Sequence, residues 1–354
     1  MTGSPYSPNK IFRHQRVLDA IAAGEHVAPI FLVLLPTNRC NQACKMCAYR
    51  IPGYYSNESF NPQDEIPTEK LLEIVSDCAA MGVKAIEISG GGEPTLHPGF
   101  FPMCEAILDR DIDLAIVTNG SCWTEQHTEL AFLAKWVRFS LEASTPETYA
   151  SYRKSTPETY FCVRQSIRDL CSYRTPASDL VVGVGFTVVV DNWMEVAEAT
   201  RNAREDGADN IRISAAFQPA GAEYFKDFHA EAAALCKEAE SLSTDRFRVF
   251  NNFGDRMSDL TIGHPTYSEC LFQRVSVEIG ADCNVYRCCT LLYNRRGRLG
   301  SLANQRLSTM WFSEETRRLL SSIDARSCPH CLFNNKNAAI SYAICDNPAH
   351  VNFV

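Results

Sequence analysis

The sequence predicts an α/β fold: a partial (β/α)6 barrel followed by a small cysteine-rich module. Three observations carry this. Between residues 30 and 243, apolar strand-like runs alternate with segments of helical period. Polar motifs recur just after those runs. Beyond about residue 245 the alternation stops and the chain becomes loop-rich, with cysteines at 270, 283, 288, 289, 328, 331 and 345. The expected organisation is an N-terminal extension (1–29), the barrel (30–243), a metal-stabilised module (263–335) and a C-terminal tail (336–354), with a boundary between 243 and 262.

IFLVLLP (30–36) is a continuous apolar run and reads as the first strand, buried on both faces. TEKLLEIVSDCAAMG (68–82) sets Leu71, Leu72, Val75, Cys78 and Ala79 on one helical face, with Gly82 as its stop. KAIEIS (84–89) is the second strand and PGFFPMCEAILDR (98–110) a helix with proline near its start. DLAIVTNG (113–120) is the third strand, TEQHTELAFLAK (124–135) a helix and WVRFSLEA (136–143) the fourth strand. A helix over 157–173, a strand at 180–190, a helix over 192–207, the strand 210–214 and a helix over 229–242 complete six units. Strict alternation implies parallel strands joined by right-handed crossovers. A helical piece at 10–23 and the terminal SYAICDNPAHVNFV are expected to pack on the barrel, the latter over its opening.

Composition narrows the function. The 354 residues are 45% hydrophobic and 21% charged, enough to bury a large core. The formal net charge of −8 argues against a nucleic-acid partner, and the basic YNRRGR (293–298) reads as a solvated turn. No run approaches the roughly 18 apolar residues of a membrane span, and the N-terminus lacks a signal-peptide core. A cytoplasmic protein with no membrane partner is expected. In a reducing compartment, sixteen cysteines are better read as ligands, catalytic thiols and core residues than as disulfides.

In barrels of this kind the reactive groups sit at the carboxyl ends of the strands. Four polar clusters obey that rule: Cys40, Cys44 and Cys47 after strand one, GGGEP (90–94) after strand two, TNG (118–120) after strand three, and Ser140 with Glu142 at the end of strand four. The C-x3-C-x2-C spacing gives three thiols, one short of a closed tetrahedral zinc site. A cubane iron–sulfur cluster held by three cysteines leaves one iron open to a ligand. The glycines of GGGEP allow close approach of backbone to a ligand, and Glu93 adds an acceptor for an ammonium group.

These motifs resemble the radical S-adenosylmethionine (SAM) enzymes, TIM-like barrels whose signature Cys40, Cys44 and Cys47 match. The resemblance implies a [4Fe–4S] cluster on those thiolates, SAM on its open iron, and a 5′-deoxyadenosyl radical that abstracts a substrate hydrogen. It places Gly91, Gly92 and Glu93 at the SAM amino group and Ser140 and Arg153 near its carboxylate and ribose, with Asn119 and Asn192 as further matches. Met46 stands where the family commonly has an aromatic residue against adenine; its polarizable sulfur can fill that space.

The C-terminal region resembles the twitch module, a shortened SPASM domain. That likeness implies Cys270, Cys288, Cys328 and Cys331 as ligands of a second, auxiliary [4Fe–4S] cluster, with Cys289 as a substitute for Cys288; zinc on the same four is the alternative. Cys122, Cys283, Cys289 and Cys345 are the remaining candidates for a functional thiol. The expected reaction is oxidation of a secondary alcohol of a sugar or aminocyclitol, with the auxiliary cluster as electron acceptor and a flavodoxin- or ferredoxin-type electron donor. Peptide epimerisation or crosslinking, epimerisation at a sugar carbon, and a non-catalytic electron carrier are the alternatives. Only about 29 residues precede strand one, which speaks against a leader-recognition domain for peptides.

Overall fold

A computed structural model describes residues 4–175 and 178–345. Its centre is one ten-stranded sheet: β1 (Phe31–Leu34), β2 (Ala85–Ile88), β3 (Asp113–Thr118), β4 (Trp136–Ser140), β5 (Val181–Val188), β6 (Asn210–Ala215), β7 (Arg248–Asn251), β8 (Ser276–Ile279), β9 (Asn284–Tyr286) and β10 (Arg298–Ser301). The order is β10-β9-β8-β1-β2-β3-β4-β5-β6-β7. From β8 through β1 to β7 every pairing is parallel, while β8–β9–β10 is an antiparallel meander. Among the described residues no helix is long and apolar enough to cross a membrane.

Alternation along each strand builds two environments. Leu32, Leu34, Ile86, Ile88, Val137, Phe139, Ile211 and Ile213 point outward and are fully buried under the helices. The register then puts Val33, Glu87, Val117, Arg138, Ser140, Gly183, Gly185, Arg212 and Glu278 on the opposite face, lining the barrel lumen. The helix Thr68–Met81 ends as expected at Gly82, whose φ of 84° is the left-handed conformation a helix stop favours.

Three features depart from the expectation. A seventh strand–helix unit, β7 and the helix Phe253–Ile262, occupies the stretch read as a boundary. The four residues RVFN are too short and too mixed to show a period; pairing with β6 makes them a strand. Two helices, Pro146–Arg153 and Pro157–Tyr173, link β4 to β5 where one was expected. The cysteine-rich region also shares the barrel's sheet, because β8 pairs with β1 over Phe31–Leu34.

The N-terminal piece is a 3-10 turn, Pro8–Arg13, then a helix, Gln15–Ala22, shorter than the 10–23 expected. Leu18 and Ile21 of that helix cluster with Leu271, Phe272, Val275 and Ile340, joining it to the C-terminal helix Asn334–Ala343. The N-terminal helix therefore packs on the body as expected; of the tail expected over the barrel opening (341–354), residues 346–354 lie outside the described residues.

Candidate active site

The cysteine loop after β1 has little regular structure of its own and is held from both sides. On one side the Gly92 and Glu93 amides donate to the Thr37 and Arg39 carbonyls, at 3.1 and 2.8 Å. A Cβ on Gly92 would lie 1.9 Å from the Arg39 carbonyl oxygen, and one on Gly91 would lie 2.1 Å from Asn38 Oδ1. The glycines after β2 are thus required by close packing on the cysteine loop itself.

On the other side the loop hangs from the end of the helix Pro146–Arg153. Ala43 and Lys45 amides donate to the Arg153 and Tyr152 carbonyls at 3.1 and 3.0 Å, and Gln42 Nε2 donates to the Tyr149 hydroxyl at 2.8 Å. Sequence reasoning missed this helix, although Thr145 caps it, Pro146 occupies its first turn and Glu147 is acidic there. Arg153 is buried. One guanidinium nitrogen donates to Cys44 Sγ at 3.2 Å; the other donates to Glu142 and to the Ser140 carbonyl. Met46 touches the Tyr152 hydroxyl through its sulfur.

Glu93 is buried at the centre of the rim. Its Oε1 accepts from the Thr118 hydroxyl (2.7 Å) and the Thr95 hydroxyl (2.8 Å), and its Oε2 from the Asn119 amide (2.7 Å). Burial raises its pKa despite these donors. Oε1 is saturated, but Oε2 retains a lone pair and the carboxylate lies close enough to Cys40 to act on its charge. Asn119 also donates to Asn41 Oδ1 at 3.0 Å, and Asn41 donates in turn to Ser121 Oγ (2.8 Å) and Cys122 Sγ (3.2 Å). Cys122 is therefore on the rim, tied to the residue beside Cys40. Asn192 is different: its buried amide bonds the Glu142 and Thr187 carbonyls and the Val189 amide, which locks β4 to β5.

The sequence matches the family model described as "Radical SAM superfamily" over residues 34–210 and the model "Iron-sulfur cluster-binding domain", SPASM, over residues 270–332. The chain belongs to the radical SAM superfamily. A curated relative, the tungsten-containing aldehyde ferredoxin oxidoreductase cofactor-modifying protein of Pyrococcus furiosus, is 28% identical over 52% of this chain and 51% of its own. The chain spans about half the length of that relative. Among solved structures, SuiB of Streptococcus suis, bound to its precursor peptide SuiA, aligns at a TM-score of 0.62 with 15% identity over 91% of this chain and 73% of its own. Native anSMEcpe with bound AdoMet aligns at 0.59 with 17% identity over 83% of each chain. Those two likenesses concern the fold.

Radical SAM and SPASM domains together carry a SAM-binding [4Fe–4S] cluster and auxiliary clusters. The donor set, three thiols on one loop, suits iron–sulfur ligation; burial pushes the Cys40 thiol up to about 11 and raises Cys47, so that metal binding must release their protons. In the SPASM region, Cys270, Cys288, Cys328 and Cys331 lie close enough to shift one another's titration, and Cys270 is pushed up to about 11, chiefly by burial. Cys331 Sγ accepts from the Phe333 amide and contacts the Tyr267 hydroxyl, both at 3.3 Å. Such donors to sulfur tune a cluster's potential.

Among the described residues no three His, Cys, Asp or Glu side chains stand at single-ion spacing; in a cubane each thiolate has its own iron. Cys289 is half-buried beside Cys288 and faces Glu278, Tyr49 and Tyr54, on the side toward the barrel. Cys283 instead sits in the β8–β9 turn near Asp282 and Lys70, and Cys345 is exposed after the last helix, so neither joins the site.

Proposed function

We propose that this radical SAM enzyme oxidises a secondary alcohol of a small sugar-like substrate, with an auxiliary [4Fe–4S] cluster as electron acceptor. The observation that carries this reading is the junction between the two cysteine regions. Ser56, nine residues after Cys47, donates to the Cys289 and Thr290 carbonyls at 2.8 and 3.1 Å, and β8 extends the barrel wall at β1. The auxiliary thiols are thus built onto the wall that carries the SAM-cluster loop.

In this reading Cys40, Cys44 and Cys47 hold the SAM-binding cluster. Cys270, Cys288, Cys328 and Cys331 close the auxiliary one, with Cys289 beside them. When bound, these groups supply a radical that removes a carbinol hydrogen atom and an acceptor for the electron left behind. The chain's own residues position the partners. Glu93 Oε2 takes the ammonium group of SAM, Arg153 steadies Cys44 and faces its carboxylate, and Met46 with Tyr152 shields adenine from water. Ser140 and Asn119 complete the rim. A flavodoxin- or ferredoxin-type protein is the electron donor, in a reducing compartment.

Iron and sulfide in anaerobically reconstituted protein test the assignment. Wild type should hold about eight irons, falling to about four in the triple Cys40, Cys44, Cys47→Ala variant with loss of SAM cleavage. About four irons in wild type would remove the electron acceptor and with it the oxidation. With candidate sugar alcohols in heavy water, a product two hydrogens lighter supports oxidation. A product of unchanged hydrogen count carrying one solvent deuterium points to epimerisation instead.

A further inference from the structure

We propose that the barrel lumen contains an oxyanion-binding site, built from Arg138 and Arg212, that takes a phosphate or carboxylate group of the substrate. This rests on the reading above, in which a small molecule reacts at the rim, and it narrows that substrate from a sugar or aminocyclitol to an acidic sugar.

The two arginines stand out because both interrupt apolar strands. Arg138 in WVRFS and Arg212 in NIRISA face the lumen from β4 and β6. The strand between them, β5, presents Gly183 and Gly185 on the same face, and these lie level with Arg138 and Arg212 in the register. β5 therefore places no side chain between the two guanidinium groups. A Cβ on Gly185 would already touch Arg138 Cδ at 3.6 Å. The Arg138 charge lowers the pKa of Arg212, as expected of two cations facing each other in a poorly solvated space.

Their neutralisation is incomplete. Glu87 is 4.0 Å from Arg138, at the limit of an ion pair. Arg212 lies 5.7 Å from the centre of the Tyr6 ring, and its Nε is buried without a hydrogen-bond partner among the described residues. Lys336, largely buried, also faces Glu87. Glu142 also faces both arginines but is paired with Arg153; with Glu87, Glu142 and Glu278 all counted as charged, Arg138, Arg153, Arg212 and Lys336 leave an excess of one positive charge. Arg153, at the end of the helix Pro146–Arg153, also leaves its Nε unpartnered, but both its terminal nitrogens are bonded, to Glu142, the Ser140 carbonyl and Cys44.

An unbalanced pair of half-buried guanidinium groups is costly, and their planar forks match a carboxylate or phosphate. Arg138 lies two residues below Ser140, so an anion held there leaves roughly 7 Å to the rim, about the length of a sugar ring. An amine in the same place would meet two like charges.

The experiment is calorimetric titration of the cluster-loaded protein with inorganic phosphate and, separately, with succinate, for wild type, R138Q and R212Q. Wild type should bind at least one anion, and each glutamine variant should weaken that binding by roughly tenfold or more. The preferred anion distinguishes a phosphorylated substrate from a carboxylated one. Iron content and thermal unfolding report folding. R212K keeps the charge but not the fork and stands in for a variant that does not fold; it too should bind more weakly. No binding of either anion by wild type, or binding equal in all variants (an adventitious ion only), overturns the site. Failure of the underlying reading shows separately, as absence of SAM cleavage by wild type.

Discussion

Arg153 donates to the sulfur of Cys44 across 3.2 Å, although 109 positions separate them in sequence. The same guanidinium neutralises the buried Glu142. Removing it strands a carboxylate, which typically costs about 3–5 kcal/mol, so Arg153→Met should lower stability by about that amount in anaerobic urea unfolding. Adding Glu142→Gln should restore most of the stability. It should not restore iron content, because the anchor of the cysteine loop is still missing.

Gly92 and Gly254 make a matched pair. A methyl on Gly92 meets the Arg39 carbonyl oxygen at 1.9 Å, while one on Gly254 meets nothing within 4 Å. Gly92→Ala must displace the cysteine loop and should lose most of the SAM-cluster iron, counted per chain. Gly254→Ala lies in the helix Phe253–Ile262 and should raise stability by about 0.5–1 kcal/mol with full iron content.

Tyr267 touches Cys331 at 3.3 Å and is itself held by Asn334 and Asn337 at 3.1 Å each. The hydroxyl donates to Asn334 Oδ1 and accepts from Asn337 Nδ2, and Tyr267→Phe removes it together with its polar contact to the sulfur. The midpoint potential of the auxiliary cluster should fall in a redox titration followed by electron paramagnetic resonance, with the SAM cluster unmoved. Stability should drop by about 0.5–1.5 kcal/mol per lost bond.

Glu278 carries a pH dependence. Burial first, then Glu87, raise its pKa from an ordinary 4.5 to about 8. The folded protein keeps a proton that the unfolded chain releases, so this group's contribution is full below about pH 4.5 and is lost as pH rises through 8. Glu278→Gln should therefore gain stability over wild type at pH 9 by a few kcal/mol and show little gain at pH 5. Urea midpoints at the two pH values, measured anaerobically, check this.

The strands legible in the sequence were those with long apolar runs, such as IFLVLLP and LVVGVGFTVVV, which admit few other readings. The cysteine loop was legible from its spacing. β7 was not, because RVFN becomes a strand through its partner rather than its composition. The helix at 146–153 hid for a related reason: PETYASYR has little apolar periodicity, and its buried face consists of Tyr149, Tyr152 and Arg153. Its cap, Thr145 before Pro146, was the readable signal. Glu93 was found, but the partners of Oε1 come from residues 95 and 118 and that of Oε2 from 119, and only the folded chain shows which oxygen keeps a lone pair.

The pairing of β8 with β1 makes β1 an interior strand, hydrogen-bonded on both sides. A chain cut after the barrel would leave Phe31–Leu34 as an open apolar edge directly beneath the cysteine loop. Such edges recruit strands from other molecules. The C-terminal third is thus also a guard on the first strand, and its loss would be seen as aggregation before it was seen as a missing auxiliary cluster.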